Sequence, residues 1–374
     1  MNTKTGLVFA NKQDFRLKPT LTACLVAGLF LSASPVFAGQ EIIIDTDFLS
    51  YIRGNGPAPT YNEGSGSLTD PSGNTVRVLD GVSIGDSVTG GLYLDGIPGF
   101  SDGRADNNTV IVSGGSLENG VYGGYVTSTS GPAGADNNTV IINGGSIKGQ
   151  VIGGNALSQG GSALTSGNTV IVNGGSMGNG EDYFVAGGYA WSTSGSASAR
   201  NNTVIFNGGS MAETVFGGYA NSTSGPSSAS GNRVTITGGT LKTIQGGYAY
   251  AGVGGVESAT DNTVTISGKP NLTSSELWGG NVTRKGGGAK DAFTGNTLNV
   301  WNYQGGDVKN VRNFEHYNFV LTGDNRPALN VTDRVWLSEF NGDPSKRSRI
   351  TGVDVVSTAP DFTGPLVLIH AKNG

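Results

Sequence analysis

The chain has 374 residues, a formal net charge of −5, one cysteine, two histidines and 64 glycines. The acidic balance argues against nucleic acid or an anionic membrane surface as partner. One cysteine excludes a disulfide framework, and His316 and His370 alone support neither a zinc centre nor a catalytic triad.

Residues 1–38 read as a secretory signal peptide. Lys4, Lys12, Arg16 and Lys18 form a basic leader, an apolar run spans Leu21 to Leu31, and Val36-Phe37-Ala38 sets cleavage before Gly39. The run is too short for a spanning helix. Leu21-Thr22-Ala23-Cys24 is not an acylation box, because the apolar run follows Cys24 instead of preceding it. Cleavage removes the only cysteine and a net charge of about +3, leaving a disulfide-free mature chain near −8. Residues 39–73 begin with the apolar Glu41-Ile42-Ile43-Ile44 and continue rich in Gly, Pro and Asn. They are expected to form a cap over the first coil.

A repeat fills residues 74–300. Asn74, Asn108, Asn138, Asn168, Asn202, Asn232, Asn262 and Asn296 recur at steps of 34, 30, 30, 34, 30, 30 and 34 residues. Such a period marks an array in which each unit buries its apolar face only against its neighbours. Two positions after each Asn comes an apolar residue (Val76, Val110, Val140, Val170, Val204, Val234, Val264, Leu298), and another follows two further on. The position between them varies from Arg77 through Ile141 to Asn299, which gives the period-2 pattern of a half-buried strand. A second strand precedes a Gly-Gly pair, with Val88, Val121, Val151, Val185, Val215, Ile244 and Leu277 facing inward. Their neighbours Thr89, Tyr122, Ile152, Ala186, Phe216, Gln245 and Trp278 face out or lie under a loop.

Asn-Gly-Gly between the strands (Asn143 to Gly145, Asn173 to Gly175) is formally a hairpin signal, so an array of hairpins is one solution. The sustained register favours the other, an all-β, right-handed β-solenoid (β-helix) of about eight coils, one per 30 to 34 residue repeat. Coils stacked at roughly 4.8 Å give a rod on the order of 40 Å long. Segments of small residues (Thr127 to Ala135, Ser158 to Ser166, Ser192 to Ala199, Asn221 to Ala229) are expected to remain mobile loops that build no core. Residues 301–374 lose the period, gain large aromatics such as Trp301, Phe314, Tyr317, Phe319, Trp336 and Phe340, and are expected to continue as β-structure.

Tyr125, Tyr189, Tyr219 and Tyr248 follow the Gly-Gly pairs, with Asn155 and Asn281 at the same place in other copies. They make either a strip that binds sugar or a protein partner, or an aromatic ladder that stabilises a corner. Ile111, Ile141, Ile171 and Ile205 form an outward apolar run that neighbouring loops would cover. The repeated Asn is expected to stack at a corner and bond its neighbours, and Asn-x-Thr triplets such as Asn107 to Thr109 belong to that repeat, not to glycosylation. Asp106, Asp136 and Asp261 fall at one corner that alternates with Gly, which suits a turn better than a metal. No catalytic residue, metal site or cofactor is assigned, and enzyme activity is not expected.

Copies of Asn-Asn-Thr-Val-Ile-Ile-x-Gly-Gly-Ser and Val-x-Gly-Gly-Tyr-Ala after a signal peptide resemble the passenger domain of bacterial autotransporters, the type V secreted proteins. The resemblance spans about Asn74 to Val300. It continues weakly through Asn313 to Phe319 and Leu366 to Ile369, which look like the last passenger coils. It implies export across the inner membrane and display at the cell surface, or a periplasmic location if no barrel is supplied. It also implies adhesion or self-association, with a host-surface glycan or protein as partner. An outer-membrane β-barrel would be expected after the passenger, and these 374 residues hold no such run of alternating strands. The competing classes are a β-helix enzyme acting on polysaccharide and a purely structural stalk.

Overall fold

The computed structural model describes residues 39, 41–47, 51–54, 70–95, 103–178, 183–252, 255–283, 288–323, 325–340, 342–358 and 364–373. The expected signal peptide lies outside them. Among the described residues there is no helix, and strands pair in parallel to form a β-solenoid of about nine turns. Asn-Gly-Gly is a corner and not a hairpin. Its second glycine takes a left-handed backbone, with φ of 94° at Gly145 and 90° at Gly175.

One coil shows the plan. Thr139–Ile142 runs along a first sheet, the corner leads into the two-residue strand Ser146–Ile147, and Val151–Ser158 runs along a second sheet. A tight turn then enters Ala163–Ser166 on a third sheet. Matching residues stay in register from coil to coil, as in Val110, Val140, Val170 and Val204. The first sheet has eleven strands, because Glu41–Ile44 pairs ahead of the repeat and His316–Gly323 and Arg349–Thr358 pair after it.

Two cores fill the coil. Val, Ile and Leu from the first and second sheets form the larger one, in which Val110, Val140, Val170, Val121, Val151 and Val185 are fully buried. A second core is lined chiefly by alanine, including Ala133, Ala135, Ala156, Ala163, Ala190, Ala197, Ala220 and Ala229. It lies under a third sheet of six strands among the described residues, four of which (Ala133–Asp136, Ala163–Ser166, Ala197–Arg200 and Ser227–Ser230) come largely from the segments expected to be mobile loops. That expectation is corrected: Ala at alternate positions fits a gap too narrow for valine, and stacking supplies the neighbours that a lone Ser/Ala segment lacks. Buried serines close its turns. Ser158 Oγ donates to the Gly131 carbonyl at 2.7 Å and accepts from the Gly161 N–H at 2.9 Å, and Ser192 repeats the pattern.

A file of asparagines separates the two cores. From Asn74 to Asn262 each main-chain N–H and each Nδ2 donates to Oδ1 of the next Asn. For Asn138 and Asn168 these distances are 2.9 and 3.1 Å. Each remaining amide proton reaches a main-chain carbonyl, as from Asn168 Nδ2 to Ala135 O at 2.8 Å. Buried polar groups persist where every donor is satisfied, and this file meets that demand. The Gly-Gly pair of the second sheet lies directly on it. A Cβ on Gly123 would fall 2.7 Å from Asn138 Cβ, and one on Gly124 would fall 2.7 Å from Asn138 Nδ2.

Corners explain the acidic positions as well. Asp261 has φ 58°, in a position shared with Asn107, Asn137, Asn201, Gly167 and Gly231, all left-handed. Asp106 and Asp136 are one residue earlier, so the three aspartates are not equivalent, contrary to the sequence expectation. Arg104 bridges that pair at 2.6 and 2.5 Å.

Candidate binding surface

The outer face of the second sheet is bent at Gly-Gly, and the bend decides what its side chains touch. Residues on either side of the glycines turn toward each other: Tyr122 meets Tyr125 with ring centroids 5.2 Å apart, and Phe216 meets Tyr219 at 5.0 Å. Thr89, Ile152, Ala186, Phe216 and Gln245 are therefore buried although they face away from the core. Phe216 is sheltered by the tyrosine three residues on, not by a loop.

Tyr189, Tyr219 and Tyr248 occupy one column in register. Their rings meet edge to face, Tyr189 to Tyr219 at 4.9 Å and Tyr219 to Tyr248 at 4.6 Å, and Phe184 joins them 5.7 Å from Tyr189. Edge-to-face pairs add about 0.5–1.5 kcal/mol each beyond burial. All four candidate tyrosines are half-buried, so each ring keeps an accessible part. Burial pushes the phenols of Tyr189, Tyr219 and Tyr248 above their ordinary range. Tyr125 stands apart from the other three because the buried Asn155 lies between it and Tyr189 in the column.

Toward the carboxyl-terminal coils the tyrosine column passes into Asn281, while the column on the other side of the glycines leads to a cation that sequence reasoning did not single out. Arg312 continues the column of Gln245 and Trp278. Its Cζ lies 3.9 Å from the Trp278 ring centre, 4.5 Å from Trp336 and 4.7 Å from Phe340, and an Nη bonds Glu276 at 2.9 Å. Trp336 and Phe340 belong to a segment that folds back over the last coils. Glu339 accepts from the Ala292 N–H at 3.1 Å, and Lys346 pairs with Asp291 at 2.9 Å. The signal was the cluster of large aromatics after Trp301, but Trp278 lies 34 residues before Arg312 whereas Trp336 and Phe340 lie 24 and 28 after it, so no single repeat step connects them.

On the first sheet Ile111, Ile141, Ile171 and Ile205 stack in register and stay half-buried on the outer face. An exposed asparagine ladder runs beside them at the corner, from Asn207 through Asn173 to Asn143, with amide bonds of 2.9 and 2.8 Å. Among the described residues no three or more His, Cys, Asp or Glu side chains gather as a metal site would require. Comparison with protein-family models, with curated proteins and with solved structures returns no match.

Proposed function

We propose that this chain is a non-enzymatic, exported passenger of the autotransporter type that acts in adhesion or self-association through its repetitive lateral surface. The observation that carries this reading is the in-register column Tyr189, Tyr219 and Tyr248, half-buried and backed by Phe184 and Phe216. Stacked rings on a rigid sheet present apolar faces and phenol hydroxyls together, the chemistry that suits a sugar chain or a protein loop. Order already imposed by the coil lowers the entropic cost of binding. The β-solenoid fold and the leader at residues 1–38 support export and display, at the cell surface if a barrel is supplied and in the periplasm otherwise.

The test replaces Tyr125, Tyr189, Tyr219 and Tyr248 with serine in the full chain. Binding to a panel of polysaccharides and to host-cell surfaces is measured, together with aggregation of cells that carry it. The reading expects binding or aggregation by the parent and its loss in the variant, with β-structure retained by circular dichroism. A parent that neither binds nor aggregates favours the structural stalk. Cleavage of a polysaccharide by the parent favours the enzyme.

A further inference from the structure

Three consecutive corners of the first sheet carry the dipeptide Asn-Gly, at Asn143-Gly144, Asn173-Gly174 and Asn207-Gly208. All three asparagines are exposed. With no Cβ on the following residue, the glycine nitrogen meets no side chain of its own as it approaches the asparagine amide carbon. Among the described residues the N–H groups of Gly144, Gly174 and Gly208 donate to no acceptor, so the attacking nitrogen is not held elsewhere. The reaction needs only water. The glycine N–H gives its proton to base, the nitrogen bonds to Cγ, the Cγ–Nδ2 bond breaks, and the amide nitrogen takes up a proton and leaves as ammonia. Water then opens the five-membered imide at either carbonyl, giving aspartate or isoaspartate.

The exposed ladder makes three chemically equal sites unequal. Asn173 Nδ2 donates to Asn143 Oδ1 at 2.8 Å, and Asn207 Nδ2 donates to Asn173 Oδ1 at 2.9 Å. Thr237 Oγ1 closes the other end on Asn207 Oδ1 at 2.8 Å. The leaving amine of Asn173 and of Asn207 is therefore tied down, whereas Asn143 Nδ2 has no partner among the described residues. The product fits best at the same place. Aspartate at 143 still accepts from Asn173 Nδ2, while aspartate at 173 or 207 would set a carboxylate oxygen against another Oδ1. A further exposed asparagine before glycine, Asn119, is restrained differently. The Gly120 N–H donates to Asn119 Oδ1 at 2.9 Å, and Asn119 Nδ2 donates to Asp86 at 3.2 Å, where a new carboxylate would meet an existing one.

We propose that Asn143 is a self-modification site, at which the folded chain loses ammonia ahead of the other ladder asparagines and gains a carboxylate. The strands Thr109–Val112, Thr139–Ile142, Thr169–Val172 and Thr203–Phe206 carry no charged residue. The conversion places a negative charge at the edge of that neutral face, and the isoaspartate form also lengthens the main chain of the corner by one carbon. The site lies on a different sheet from the tyrosine column, so it does not depend on the binding proposed there.

The folded full chain is incubated in mildly alkaline buffer and digested, and tandem mass spectrometry follows the conversion of each asparagine. Enzymatic methylation of the free α-carboxyl reads isoaspartate. Asn143 should convert at least about fivefold faster than Asn173 or Asn207, the rate equivalent of one ordinary hydrogen bond. All three are followed by Gly-Gly-Ser or its start, as in Asn143 to Ser146 and Asn207 to Ser210, so in denaturant their rates should converge. Asn143→Ala moves the end of the ladder to Asn173, which should then convert at least about fivefold faster than in the parent while Asn207 stays slow. Gly144→Ala should abolish the early conversion at Asn143, with circular dichroism confirming the fold of each variant. Equal rates at the three sites in the folded parent overturn the proposal. So does an Asn143→Ala variant in which Asn173 converts no faster.

Discussion

Gly153 lies so close to Asn168 that a Cβ built on it would fall 2.9 Å from Asn168 Cβ and 2.4 Å from the Gly187 carbonyl oxygen. The glycine and the asparagine are therefore one device, because the bend of the second sheet and the buried amide file need the same space. Gly153→Ala is expected to lower the denaturation midpoint by the equivalent of about 1–3 kcal/mol, as overpacking does. Gly131 is the control. Its nearest neighbour to a built Cβ is Ser128 Oγ at 3.5 Å, and its backbone is not left-handed. Gly131→Ala should be neutral or stabilise by about 0.4–1 kcal/mol through the unfolded state.

The amide file makes two substitutions of Asn168 differ. Asn168→Ala leaves the N–H and Nδ2 of Asn138 without their acceptor, at about 1–3 kcal/mol for each buried donor. Asn168→Asp keeps that acceptor but turns carboxylate oxygens toward Asn202 Oδ1 and Ala135 O, which accept bonds from Asn168 Nδ2 at 2.9 and 2.8 Å. Burial and these acceptors would raise the aspartate's folded pKa above its unfolded value. Its protonated form is then the tolerated one. Asn168→Asp should be closest to the parent in acid and lose stability as pH rises through the folded pKa, while Asn168→Ala shows no such trend. Urea melts at several pH values measure the difference.

Arg312 between three rings should resist replacement even by lysine. A guanidinium stacks on flat rings where an ammonium is a hydrated point charge. Arg312→Lys should destabilise the last coils by about 1–2 kcal/mol. The measurement is earlier proteolysis between Arg312 and Arg349, with a shift in fluorescence from Trp278 and Trp336. An unchanged proteolysis pattern would show that the stack does not hold the segment down.

Alkali should reveal the buried phenols. Burial pushes Tyr51 up to about 12, and Tyr122, Tyr189, Tyr219, Tyr248, Tyr303 and Tyr317 are raised for the same reason. A raised folded pKa means that the stability these groups lend is complete below the unfolded value near 10 and lost as pH rises through the folded value. A spectrophotometric titration should therefore show only part of the twelve tyrosines ionising near pH 10. The rest should appear together with loss of β-structure in stronger alkali. Smooth ionisation of all twelve near pH 10 would contradict this burial.

Much of the architecture is legible in one dimension because a solenoid repeats its contacts. The steps between Asn74 and Asn296 determine the stacking, the valines flanking them determine which face turns inward, and the asparagines announce their own file, since each must bond its copy in the next coil. Tertiary structure decided the rest. Ala133, Ala163 and Ala197 read as linker because small residues carry little hydrophobic signal singly, and only stacking gives them a core. The bend at Gly-Gly brought Phe216 onto Tyr219 from the other side of the glycine pair. Arg312 found Trp278 on the preceding rung and Trp336 and Phe340 on the segment that folds back over it. Periodic local patterns fix contacts between equivalent residues, whereas contacts between inequivalent ones depend on how the coil bends in space, which no spacing records.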